Sequence, residues 1–192
     1  KIKKKKKYKK IDEPINHYNF ENKLVNFSLN LKKGLAINYL INKKNKNNLF
    51  IRTIHQGYFD NISYLADYFS SNLLLESKKY GKITDLQKGK MICYENNKEI
   101  CLSNNIHINQ YTIKKEFLFS KDKPTVELSC SVKTNLCNDI KILRPFHFTF
   151  SDVNDNIKLI LNNGGNEETF YLKDVKEVSQ SSAINNFISC KT

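Results

Sequence analysis

The 192-residue chain reads as an α+β protein that is mostly β. The expectation is an antiparallel β-sandwich or a strongly curved sheet of about nine strands, with one main helix over residues 60–80. Three observations predict this. Apolar residues alternate with polar ones in run after run, the period of a half-buried strand. Short Asn- and Gly-bearing segments separate the runs, the signature of hairpin turns. One stretch alone breaks into a 3.6-residue period. A parallel sheet would instead show strands that are apolar on both faces.

Residues 1–20 form a polybasic tail and lead-in, with Pro14 and no apolar period. Val25, Phe27, Leu29 and Leu31 then alternate with polar neighbours until Gly34. Leu35, Ile37, Tyr39 and Ile41 resume the alternation, residues 42–48 are a polar turn, and the run from Leu49 to His55 completes a hairpin.

The helix is expected from Asp60 to Tyr80. Asp60 or Asn61 offers an N-cap, and Gly81 suits the left-handed residue after the last turn. Ile62, Leu65, Ala66, Phe69 and Leu73 form its core stripe. Tyr64, Tyr68 and Leu75 project from the opposite side and are the candidate partner-binding face, with tyrosines as anchors.

Strands follow at Met91–Glu95 and Glu99–Ser103 around Asn96-Asn97, at Ile106–Ile108, and at Tyr111–Ser120, whose alternation is less clean. Val126, Leu128, Cys130 and Val132 alternate next, and then Phe146, Phe148 and Phe150, which leaves His147 facing solvent. Ile157, Leu159 and Leu161 lead through Asn163-Gly164-Gly165-Asn166 into Phe170–Val175. The expected body is thus one β-rich domain over residues 21–178, followed by a polar segment over 179–192 with a short helix near Ile184–Ile188.

Charge is distributed unevenly. Eight of the first ten residues are lysine, and that run supplies most of the net charge of +13, whereas residues 51–192 carry only +2. A cationic tail on a nearly neutral body points to an anionic polymer or surface. Lys1, Lys3, Lys4, Lys5, Lys6, Lys7, Lys9 and Lys10 are the candidate polyanion-binding residues. RNA is the first expectation, and an anionic membrane reached through the same lysines is the second. The chain holds 26 Asn and 30 Lys but only two Arg, Arg52 and Arg144. That usage follows A/T-rich codons, and it speaks against base readout, where Arg is the preferred donor.

The motif search points away from an enzyme, with a site assembled from loops as the third reading. His17, His55, His107 and His147 are isolated, and no two of the five cysteines form C-x-x-C, so neither a metal site nor a cofactor is expected. Gly164-Gly165 lies between strands rather than before a helix and does not cradle phosphate. No run of 18 apolar residues spans a membrane. The compartment is left open, with a lean to intracellular or organellar residence, and the odd cysteine count argues mildly against a complete disulfide framework.

Overall fold

A computed structural model describes residues 9–10, 16–44, 48–53, 69–135, 137–144, 146–150, 158–163 and 166–171. Fourteen strands occur among them, all antiparallel where they pair, and the only helix among these residues is a single 3-10 turn at Cys137–Asp139. Two compact units are present, Lys1–Thr149 and Phe150–Thr192.

The first unit is built on three sheets. A meander holds β2 (His17–Glu21), β3 (Val25–Asn30), β4 (Ala36–Asn42) and β5 (Asn48–Arg52) in sequential order, and it contains the hairpin expected from the alternation of residues 35–55. A three-stranded sheet places β6 (Leu74–Ser77) between β12 (Ile140–Arg144) and β7 (Gly81–Thr84). The largest sheet runs β1 (Lys9–Lys10), β8 (Lys90–Glu95), β9 (Glu99–Ile108), β10 (Tyr111–Ser120) and β11 (Val126–Lys133). The second unit is described as one hairpin, β13 (Lys158–Asn163) with β14 (Asn166–Tyr171), whose ladder closes at Asn163↔Asn166 on either side of Gly164-Gly165. Residues 172–192 lie outside the described residues.

The inward face of the five-stranded sheet orders the core. Along β10 it presents Tyr111, Ile113, Lys115, Phe117 and Phe119, each nearly or fully buried. At one end, Phe119 and Phe117 meet Phe20 and Phe27 of the meander, with ring centroids 5.1–5.7 Å apart. At the other end, Tyr111, Ile113 and Ile106 pack with Leu73, Leu75 and Ile83. One sheet is therefore covered by two smaller sheets, side by side, with a seam between them at Lys115.

Two expectations for this region are corrected. Residues 69–80 are not helical: Ser70 bridges to Ile37, residues 74–77 form β6, and residues 78–80 are the turn into β7. The span from residue 60 to 68, with its caps and Tyr64 and Tyr68, lies outside the described residues. Ser70-Ser71-Asn72 explains the break. All three are weak helix formers that compete for backbone hydrogen bonds, and Ser71 takes a φ of 67° that no helix allows. Gly81 is left-handed (φ 71°) as expected, but it returns the chain into a hairpin instead of ending a helix.

The Phe146–Phe150 segment is also not a laddered strand, and His147 is buried rather than exposed. Its backbone is held at separate points: the His147 carbonyl accepts from Ser71 N–H at 2.5 Å, and the Thr149 carbonyl from Arg52 N–H at 3.0 Å.

Candidate functional site

The lysine tail enters the described structure at β1. Lys9 pairs with Glu95 and Lys10 with Tyr94, on the outer edge of β8. Lys1, Lys3, Lys4, Lys5, Lys6 and Lys7 lie outside the described residues. The pairing is antiparallel and places Lys9 at the end of the sheet where β8 turns into β9. Tyr64 and Tyr68 are outside the described residues too. Leu75 is not on an outward face: it is fully buried in the cluster with Leu73 and Ile83, because β6 turns its odd-numbered side chains inward.

The seam holds a buried charge pair that the sequence reading did not single out. Lys115 Nζ lies 2.5 Å from Asp85 Oδ2, with the two side chains 1% and 2% exposed. The Leu73 N–H donates to the other carboxylate oxygen, Oδ1, at 2.8 Å. The pair is held as a charge contact, since neither Nζ nor Oδ2 makes an aligned hydrogen bond among the described residues. Its flanks across the sheet are Asn104 and Cys130, the register partners of Lys115. Asn104 spends its amide on the connecting segment, accepting from Gly89 N–H (2.9 Å) and donating to the Gln87 carbonyl (3.1 Å). That segment is pressed against the β3–β4 turn. A Cβ at Gly34 would sit 1.7 Å from the Asp85 carbonyl oxygen, and Gly34 has a φ of 62°.

A hydrophobic residue at Lys115 would complete the β10 alternation, and Asp85 stands between the buried Ile83 and Leu86. One charge inside each apolar pattern was the available signal. Chemically the pair is enclosed, since both side chains are almost fully buried. Its neighbour Cys130 is a poor nucleophile at neutral pH: burial first, and the Asp85 charge second, push its thiol up to about 11.

A second polar knot closes the far end. Ser77 and Tyr111 hydroxyls both donate to Asp139 Oδ2, Tyr111 at 2.5 Å, and Lys79 N–H donates to Oδ1 at 3.0 Å. These donors, Ser77 foremost, hold the Asp139 carboxyl below its ordinary range. Burial, together with the hydrogen bond to Asp139, raises the Tyr111 hydroxyl. The knot ties the β6–β7 turn to the 3-10 turn and offers no unused donor set. Among the described residues, no three His, Cys, Asp or Glu side chains gather to hold a metal. None of the helices among them is long and apolar enough to cross a membrane.

No family model, curated protein or solved structure matches this chain. Its function is argued from its own residues.

Proposed function

We propose that the protein is a non-enzymatic interaction module, an antiparallel β-sandwich body that serves in a larger assembly while its N-terminal lysines engage the phosphate backbone of RNA. The observation that carries this reading is the β1 pairing. Lys9 and Lys10 join the edge of the main sheet, which supports a lysine run rooted on the body. A rooted run holds its charges close to one surface, which raises their effective concentration toward a bound polymer. The polar groups inside the body support the same reading, since Lys115, Asp85 and Asp139 are spent on tying the sheets together.

The test compares the full chain with one lacking residues 1–10, which lowers the net charge from +13 to +5. Binding to polyuridylate is titrated over a range of salt. Each single-strand phosphate contact contributes roughly 0.7 to the slope of log K against log salt. Loss of the run is therefore expected to reduce that slope by several units. Unchanged affinity after the deletion overturns the reading. Retention on anionic vesicles with no binding to RNA moves it to a membrane surface.

A further inference from the structure

We propose that the phosphate-binding surface continues from the tail onto the body, where Lys23, Lys44, Lys98 and Lys123 line the end of the first unit at which Lys9 lies. This rests on the reading above and extends it to residues of the folded unit.

Four hairpin turns meet at that end. Asn22 of the β2–β3 turn donates to the carbonyls of Ser120 and Lys123 in the β10–β11 turn, at 3.3 and 3.2 Å. The Lys121 N–H donates to the Lys98 carbonyl of the β8–β9 turn at 2.9 Å. Lys43 of the β4–β5 turn reaches the Asn22 carbonyl at 3.1 Å. Each turn carries an exposed lysine near its tip, and Lys23, Lys44, Lys98 and Lys123 make no ion pair among the described residues. Their neighbours Lys43 and Lys121 are paired, with Glu21 at 2.6 Å and Glu95 at 3.0 Å, so these two carboxylates are already engaged.

Three of the four lysines have a fixed backbone. Lys44, Lys98 and Lys123 donate their N–H groups to Asn42, Asn96 and Ser120 side chains at 2.8–3.1 Å. The Lys9↔Glu95 pairing places Lys9 beside the β8–β9 turn, at this end and not the other. Five strands spaced by roughly 4.8 Å make the sheet end about 20 Å wide, room for several phosphates of one strand. A phosphate polymer fits better than a lipid surface. The turn tips present Asn, Lys, Asp and Pro, whereas the large exposed apolar side chains of this unit, Ile92, Ile142 and Leu143, lie within β8 and β12.

The opposite end also bears lysines, and they supply the control. In the full chain, Lys23, Lys44, Lys98 and Lys123 are changed together to Gln, and in a second protein Lys32, Lys78, Lys79 and Lys82 are changed to Gln. Polyuridylate binding is measured against salt for both, alongside the wild type and the tail deletion. The first variant is expected to lose about 3 from the slope, four contacts at roughly 0.7 each, and the second to keep the wild-type slope. Changing the first four to Arg preserves charge and is expected to restore binding, which separates lost contacts from lost folding. If the first variant binds as the wild type does while the tail deletion abolishes binding, this proposal fails and the tail reading stands. Equal losses in both Gln variants overturn it as well, because charge then acts without place. A wild-type chain that binds no polyuridylate at low salt, or that binds only anionic vesicles, overturns the tail reading and this proposal together.

Discussion

Lys115 is the residue whose substitution discriminates best between accounts of this core. Removing one member of a buried pair strands the other charge, which typically costs 3–5 kcal/mol. Lys115→Met and Asp85→Leu are each expected to destabilise the protein by about that amount in denaturant melts. The double substitution should recover much of the loss, since a buried pair replaced by apolar residues is often neutral or stabilising. Asp85 also accepts the Leu73 N–H, so recovery will be incomplete. Additive losses would show that the two side chains act independently. Asp139 makes a different test. A carboxyl whose folded pKa is depressed contributes stability that is present above its unfolded value, near 4, and is lost as pH falls through the folded value. Asp139→Asn should therefore lower the thermal midpoint at pH 7, and the gap to wild type should close as the pH falls below the unfolded value and through the depressed folded one. A gap that persists in acid would mean that shape, not charge, holds the knot.

At the scale of elements, glycine position makes two substitutions unequal. Gly34 and Gly81 are both left-handed. A Cβ at Gly81 meets nothing within 4 Å, whereas at Gly34 it collides with the Asp85 carbonyl. Gly81→Ala should cost about 1–2 kcal/mol, the penalty for a left-handed L-residue. Gly34→Ala should cost clearly more, because the turn must part from the seam. Equal melting shifts would contradict the packing. The strands themselves were legible wherever one face is more buried than the other, as in β10 and β11. The Asn96-Asn97 turn was legible because an Asn side chain accepts from backbone N–H groups two or three residues on, here those of Lys98 and Glu99; Asn22 does the same for Leu24 and Val25 in a turn the sequence reading did not mark. A codon-driven surplus of Asn is thus put to structural use. The helix reading failed at residues 69–80 because Phe69 and Leu73 satisfy a helical stripe, while Leu73 and Leu75 equally satisfy a strand. A short apolar run does not tell these periods apart. The seam was illegible for another reason. Lys115 and Asp85 are 30 positions apart, and pairing over that distance follows from tertiary packing rather than from local pattern.

For the whole molecule, the distribution of packing and charge separates what folds from what binds. Both apolar clusters on the main sheet, the seam and the Asp139 knot use residues between Phe20 and Asp139. The strap at His147 and Thr149 then ties Arg52, Ser70 and Ser71 together: Thr149 N–H donates to the Ser70 hydroxyl at 2.9 Å, and its carbonyl accepts from Arg52. A fragment of residues 16–149 should therefore unfold in one cooperative transition, as a single-core domain of that size does. It lacks the lysine run and should keep only the part of the salt-dependent polyanion binding that Lys23, Lys44, Lys98 and Lys123 supply. Shortening it to residue 144 removes the strap. The Ser71 and Arg52 N–H groups then lose their His147 and Thr149 partners, whereas the Ser70 hydroxyl keeps the Arg52 carbonyl, and a buried group left unsatisfied costs about 1–3 kcal/mol. The midpoint in urea should fall from the longer fragment to the shorter one with the slope of the transition little changed. Identical midpoints would show that the strap is incidental to the fold. A molten 16–149 fragment would show that residues beyond Thr149 complete the core.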